Sequence, residues 1–426
     1  MSANNGQPYR RRVVVTGLGV VSPNGIGVDA FWRATRNGVS GIDTITLFDS
    51  SSLPCRIAGQ VKNFRPEEHL SPKDLKRTGR AVPLLIAAAQ EALRSAGLHP
   101  AAMSLEERRS WGAIVGSGGG TPDFIESQYR FYFTEQVRKA SAYNISSSTI
   151  GSLSSELSLH FDLKGPSHII STGCGSSTDA IGYAFNQIRF GLASHLITGG
   201  VDATITPGIM LGFSIMKAVS SSHNDDPHRA SRPFERGRDG FVLGEGAWIF
   251  VLEEREQALS RSAPIYAEIL GYGATCDAYH AVRLDPSGEE PARAMTVALQ
   301  DAGLAKDDVG YIALHGTSTV LNDRTETRAM KLCFGRRAYE IPMSSIKSMI
   351  GHPQGASGAA GIAAAILGMK DGILPPTINY DEPDPECDLN YIPNRGLEKD
   401  VDISLCNCIS FGSKNSALVI ARGNGA

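Results

Sequence analysis

The sequence predicts an α/β protein built from two similar halves. Three observations carry this: chain length, alternation of apolar strand-like runs with helical patterns, and a weak internal repeat. At 426 residues the chain can bury a large core, as two domains or as one duplicated domain. Runs rich in Val and Ile lie at Arg12–Val15, His195–Ile197, Ala247–Leu252 and Ala417–Ala421. Their continuity is that of strands covered on both faces.

The repeat orders the remaining elements. Ala92–Leu98 reads Ala-Leu-Arg-Ser-Ala-Gly-Leu, and Ala298–Leu304 echoes it as Ala-Leu-Gln-Asp-Ala-Gly-Leu. Each ends an amphipathic helix with Gly, the residue that tolerates a left-handed cap. An apolar run follows each, Trp111–Val115 in one and Tyr311–Leu314 in the other. Both runs open into small-residue loops, Gly116–Gly120 and His315–Thr319. Further on, Ser171–Ser177 leads into a segment whose Ala180, Ile181, Ala184, Phe185 and Ile188 share one helical face. Its counterpart is Gly351–Gly355, leading into an Ala/Ile-rich run up to Leu367. This matching order argues for duplication, with the halves joined near 255–265. The expected division is a disordered tail over 1–10, a first half over 11–260 and a second over 261–426.

A hydrophobic content of 42% and a charged content of 20% are those of an ordinary soluble globular protein. The formal charge of -3 gives no general reason to expect nucleic acid or an anionic membrane as partner. Seven scattered cysteines, an odd number, do not form a disulfide framework and fit a reducing compartment. The segment Met1–Arg12 is polar and lacks a signal's apolar core, and Arg10, Arg11 and Arg12 read as a solvated tail. No apolar stretch has the length of a membrane span, so the cytoplasm is the expected location.

Cys174 stands out among the cysteines. It sits in a Gly/Ser turn at an expected helix start, where the dipole and free N–H groups stabilise a thiolate and can hold an oxyanion. Cys55, Cys276, Cys333, Cys387, Cys406 and Cys408 read as packing residues. His315 and His352 occupy loops after strand-like runs in the second half. Singly each suits a structural role; with Cys174 they suggest a nucleophile and two helpers. His352 is expected to begin a helix and therefore to stay neutral and donate N–H. Lys347, five residues earlier, is either a surface lysine or a group that fixes a His tautomer or pairs with an acid. Gly17-Leu18-Gly19 lacks the third glycine of a dinucleotide loop, and His223 and His228 flank a plain loop rather than a metal site.

The stretch Gly165–Thr178, the block His315–Thr319 and the block Lys347–His352 resemble the three signatures of β-ketoacyl-acyl-carrier-protein synthases. The synthase I/II branch and type II polyketide ketosynthases are the nearest in pattern. The likeness runs from Val13 to the C-terminal strand. It implies a thiolase-like fold, with duplicated βαβαβαββ halves in a five-layered αβαβα structure. It implies an acyltransferase that carries out a decarboxylative Claisen condensation: acyl-Cys174 and malonyl-carrier give 3-oxoacyl-carrier and carbon dioxide, in fatty acid or polyketide elongation. Under the resemblance, His315 and His352 stabilise the enolate, with Lys347 and Glu326 in support. The N–H groups of Cys174 and Phe411 form the oxyanion hole, and Thr317 and Thr319 bind the phosphopantetheine arm. No metal or organic cofactor is implied. The implied partners are acyl-carrier protein, acyl and malonyl thioesters and a second copy of the chain, and the strand near His195–Gly200 is expected to be a sheet edge that pairs across the two-fold. Lys73, Arg77, Arg138, Lys139 and Lys217 match carrier-docking positions. The same fold also serves non-catalytic chain-length factors, which lack the nucleophile, and acyltransferases that do not condense.

The chain departs from the family pattern in places. The last block is Asn407-Cys408-Ile409-Ser410-Phe411-Gly412-Ser413-Lys414-Asn415. Phe411 keeps the gate position, but serines replace two glycines, which predicts a stiffer loop. Asn322 replaces a usual glycine. Gly119 stands where some synthases carry isoleucine, which predicts a roomier acyl pocket.

Overall fold

The computed structural model describes residues 10–423. The first half runs β1 (Val13–Ser22), α1 (Ala81–Ser95), β2 (Trp111–Gly116), α2 (Ser152–Phe161), β3 (Ser167–Ile170), α3 (Ser176–Arg189), β4 (His195–Asp202) and β5 (Gly246–Glu254). The second repeats the order with β6 (Ala267–Cys276), α4 (Glu289–Ala302), β7 (Tyr311–Ala313), α5 (Val320–Phe334), β8 (Met343–Ser344), α6 (Ser357–Asp371), β9 (Ile403–Ser410) and β10 (Lys414–Arg422). Strands pair as β3-β2-β4-β5-β1 in one half and β8-β7-β9-β10-β6 in the other, the same topology twice. The half-sheets meet where Val13–Val15 pairs with Ala267–Ile269. The short helix Arg255–Ser260 links the halves.

Burial on both faces explains the apolar strands. In β5, Trp248, Phe250 and Leu252 join the central core, while Ala247, Ile249 and Val251 join the outer core under α1. In β10, Leu418 and Ile420 face the centre, and Ala417 and Val419 the outer core under α4 and α5. The central layer is α3 and α6, packed together between the half-sheets. The layers therefore run helix, sheet, helix, sheet, helix. This is the thiolase-like arrangement.

The glycines of β1 have a packing reason. A Cβ on Gly17 or Gly19 would come within 2.2 and 1.9 Å of the Ala92 and Ala88 carbonyl oxygens on α1. Gly271 and Gly273 meet Ala298 and Ala294 of α4 in the same way, both at 2.3 Å. Each first strand thus lies against its helix without side chains between, which makes a dinucleotide loop at Gly17 untenable.

Two expectations need correction. Residues 1–9 of the expected tail lie outside the described residues, and Arg10 and Arg12 are exposed as expected, but the arginines have partners. Arg10 lies 3.7 Å from Asp301, Arg11 donates to Glu254 at 2.8 Å, and Arg12 pairs with Glu268. These pairs fasten the start of β1 to both halves. Nor is β4 a sheet edge: it pairs with β2 on one side and β5 on the other. Among the described residues the edge is β3, four exposed or half-buried residues paired only with β2. Among the described residues no helix is long and apolar enough to cross a membrane.

Candidate active site

The site forms where the central helices begin. Cys174 lies in the single turn Gly173–Gly175 that leads into α3. Gly173 has φ +75°, a left-handed value that a side chain resists. The Gly175 N–H donates to Ser410 Oγ at 2.6 Å, so β9 pins the turn. The mirror element is the turn Gln354–Ala356 before α6. His352 precedes that turn and does not begin a helix. Its backbone forms a bridge to Leu243, with His352 N donating to Val242 O at 2.7 Å.

Cys174 and His352 come together: Nε2 of His352 lies 3.2 Å from Cys174 Sγ. The His315 ring meets the His352 ring edge-on, with centroids 5.4 Å apart. All three are buried. Burial drives the imidazoles of His315 and His352 well below the ordinary histidine value, and the Lys347 ammonium adds to the effect. Both rings are therefore neutral, each with one N–H to donate.

The thiolate expected at the helix start is overruled. Burial pushes the Cys174 thiol up to about 11, against the opposing pull of the Phe411 and Cys174 N–H groups and Lys347. Desolvating the charge costs more than the dipole returns. The resting group is a thiol, and the imidazole at 3.2 Å is the base within reach of its proton.

Lys347 is buried rather than on the surface. It fixes the His315 backbone, not an acid: Nζ donates to His315 O at 2.6 Å, with His315 Nδ1 at 3.5 Å. Glu326 holds the same loop from the other side. Its carboxylate accepts from the N–H groups of His315 and Gly316 and from Asn407 Nδ2, each at 2.7 Å. Burial raises the Glu326 carboxyl, and those donors oppose the shift. Asp323 accepts from Thr317 N at 3.1 Å and pairs with Arg238.

A cavity of about 350 Å³ opens onto this trio. Cys174, His315, Thr317, Thr319, His352 and Phe411 line it, and Lys217 and Arg283 stand among the lining residues as well. Thr317 and Thr319 share a hydrogen bond of 2.9 Å. Phe411 is one-third exposed at 36%, and the loop it sits on is tethered, because Ser413 Oγ donates to His280 O at 3.0 Å. Gly119 does not line the cavity, which corrects the expected roomier pocket there. A Cβ on Gly119 would come within 2.3 Å of the Thr204 methyl, so Thr204 already occupies the space.

The basic residues divide. Lys73, Arg138, Lys139 and Lys217 are exposed. Arg77 is engaged within the chain by Asp74, at 3.0 Å, and by Glu156, so its charge is not free as expected for docking. Among the described residues, the one His/Cys/Asp/Glu cluster with metal-like spacing is Cys174, His315 and His352, within 4.8 Å of one another. A protonated thiol beside a lysine is a poor cation site. His223 has its nitrogens on Ser222 and Arg232, not on His228.

Sequence reasoning missed three residues here. Asp202, at the end of β4, accepts from Gly118 N, Gly119 N and Gly355 N at 2.8, 2.9 and 2.6 Å. It ties the first half's loop to the turn after His352. Cys408 reaches His315 Nδ1 and Cys174 O, both at 3.4 Å. Ser357 bonds His352 Nδ1 at 2.9 Å. Only Asp202 had a sequence signal, an acid closing a buried strand.

The duplicated topology, with a thiol at the start of one central helix, defines a thiolase-like protein. The family descriptions "Beta-ketoacyl synthase, N-terminal domain" and "Beta-ketoacyl synthase, C-terminal domain" match residues 10–258 and 266–381. The chain is 42% identical over 413 residues to "3-oxoacyl-[acyl-carrier-protein] synthase 2" of Coxiella burnetii, covering 97% of this chain and 99% of the relative. It is also 42% identical to the tetracenomycin polyketide synthase ketoacyl synthase alpha subunit of Streptomyces glaucescens, with 97% of each chain covered. Among solved structures, a β-ketoacyl synthase from Burkholderia phymatum superposes with TM-score 0.90 at 33% identity, over 97% of this chain and 100% of that one. A type II polyketide ketosynthase solved with its acyl-carrier protein superposes at 0.89, with the same identity and coverage. The chain belongs to the β-ketoacyl synthase family.

Proposed function

We propose that the protein elongates acyl chains by decarboxylative Claisen condensation on an acyl-carrier protein. The Cys174 sulfur attacks an acyl thioester carbonyl, and the carrier thiol leaves with the thiol proton by way of His352. The malonyl thioester then loses its carboxylate as carbon dioxide, and the electron pair passes to the thioester enolate. Neutral N–H donors on His315 and His352 stabilise that developing oxyanion. The enolate carbon attacks the acyl-Cys174 carbonyl, whose oxyanion the Cys174 and Phe411 N–H groups hold. Collapse expels the Cys174 thiolate, which takes a proton from water, and 3-oxoacyl-carrier departs.

The observation that carries this reading is the 3.2 Å contact between a buried thiol and a neutral imidazole, with the second imidazole edge-on beside it. The relatives' names, which specify 3-oxoacyl-carrier synthesis, support the same chemistry. Lys347 and Glu326 are positioning residues in this scheme, since both grip the His315 backbone rather than the reacting atoms. Thr317 and Thr319 would meet the phosphopantetheine amides. The scheme needs no metal or organic cofactor, because the thioester is itself the electron sink.

Lys73, Arg138, Lys139 and Lys217 are the proposed carrier-docking cations, Lys217 lying at the cavity itself. Two copies are proposed to pair through the free edge of β3, where an unpaired ladder offers a template for a second strand. The preceding insertion exposes Tyr132, Phe133 and Ile145 at 67, 77 and 79%, apolar surface that such pairing would cover. We propose the chain division at 260/261 because both repeats are whole on either side of it. The cysteines are all free, which suits the cytoplasm.

The decisive experiment follows acyl-Cys174 by mass spectrometry and carbon dioxide release from malonyl-carrier. Acylation with release and a 3-oxo product is the expected result. Acyl transfer without release would make the protein a non-condensing acyltransferase, and no acylation would make it a chain-length-factor-like partner.

A further inference from the structure

The Nδ1 atom of His352 has one hydrogen-bond partner among the described residues, the Ser357 hydroxyl at 2.9 Å. Among the described residues that hydroxyl has no other hydrogen-bond partner. His352 and Ser357 are buried, 3% and 4% exposed, so the closed pair is shielded from bulk water. The turn Gln354–Ala356 brings the first residue of α6 back against the ring five positions earlier.

A neutral imidazole holds one N–H and one lone pair, and its partner at Nδ1 decides which lies at Nε2. The two half-reactions ask for opposite arrangements. Acyl loading needs a lone pair at Nε2, 3.2 Å from Cys174 Sγ, to take the thiol proton. Condensation needs an N–H at Nε2 to donate to the enolate oxygen. A carboxylate at Nδ1 would lock the first state and a backbone N–H the second. A hydroxyl serves either, because it accepts or donates on rotation.

We propose that Ser357 is a positioning residue whose hydroxyl supports both tautomers of His352, so that one imidazole serves loading and condensation; this rests on the function proposed above. In loading, Ser357 Oγ accepts from Nδ1–H while Nε2 receives the thiol proton and passes it to the departing carrier thiolate. Before condensation Nε2 takes a proton from water in the cavity, and the pair opens briefly so that Nδ1 gives one up to water. The hydroxyl then rotates and donates to Nδ1. No net charge accumulates.

The test compares Ser357→Thr with Ser357→Val, which share a shape and differ in the hydroxyl, with Ser357→Ala as the smaller control should Val unfold. Acyl loading of Cys174 and decarboxylation of malonyl-carrier are timed separately across pH. Thr is expected near wild type, whereas Val and Ala lose about tenfold in both half-reactions, the worth of one hydrogen bond of about 1.4 kcal/mol. The acid limb of the loading profile is expected to move to lower pH in Val, because the imidazolium loses its acceptor. Equal rates for Val and Thr would overturn the proposal, and so would a loss confined to one half-reaction. A wild type that neither loads nor decarboxylates would instead sink the function itself.

Discussion

Cys174 Sγ and His352 Nε2 stand 3.2 Å apart, although 178 residues separate them in sequence and they belong to different halves. The duplication produces this contact. Each half sends one helix into the central layer, and each helix starts with a single tight turn at the same end. Cys174 comes from one turn and His352 from just before the other. Asp202 holds the two together by accepting N–H bonds from Gly118 and Gly355.

The buried thiol predicts an unusual alkylation profile. Iodoacetamide modification of Cys174 should keep accelerating above the ordinary cysteine value of about 8.5. It should level only near about 11. Peptide mapping after timed quenching measures it, and a plateau near neutral pH would show that the thiolate is stabilised after all.

Both histidines are held neutral, which gives stability a defined acid dependence. Their folded values lie below the unfolded value of 6.5, so the unfolded chain binds more protons in acid. Their contribution is whole above about pH 6.5 and falls as pH drops toward the folded values, by up to about 1.4 kcal/mol per unit for each ring. His352→Gln should flatten this slope in urea melts at a series of pH values, and an unchanged slope would mean that the ring titrates normally.

Glu326 should matter for both stability and rate. Glu326→Ala leaves the His315 and Gly316 N–H groups buried without a partner, at a cost of about 1–3 kcal/mol each. Thermal melts should show a large loss, and carbon dioxide release should fall even at temperatures where the variant is folded. Glu326→Gln, which keeps one acceptor oxygen but turns an amide NH2 toward a buried donor, should recover only part of the stability.

Gly119→Ile should not report on chain length. With the Thr204 methyl in the way, overpacking of about 1–3 kcal/mol is expected, seen as a lower denaturation midpoint. Gly119→Ile combined with Thr204→Gly should regain stability. A single mutant of wild-type stability with a shortened product range would restore the original expectation for this position.

Ser413 joins strain to a tether. Its φ of +64° costs a non-glycine residue about 1 kcal/mol, and its hydroxyl binds the His280 carbonyl. Ser413→Gly should free the Phe411 loop and speed acyl loading, with little change in melting temperature, because strain relief offsets the lost bond. Loading at the wild-type rate would show that the loop does not limit entry.

Much of the fold was legible in residue pattern. Paired Gly-capped helices at Gly97 and Gly303, each followed by a buried strand, signalled the duplication, because helix ends and continuous apolar runs are local physics. The turn around Cys174 was readable for the same reason. The partners of Arg77 and of the arginines at 10–12 were not legible because ion pairs with Glu156, Asp301, Glu254 and Glu268 join residues remote in sequence. The edge at β3 was missed because strand order follows from which strands pair, not from the apolar content of any one of them.

By itself the sequence determined two α/β halves, a thiol in a small-residue turn and two histidines in loops, since propensity and periodicity act over a few residues. Tertiary structure alone decided the thiol's protonation, the neutrality of the rings, the partners of Lys347 and Ser357 and the closed space at Gly119. Those depend on desolvation and on contacts between distant segments, and both exist only once the halves have packed.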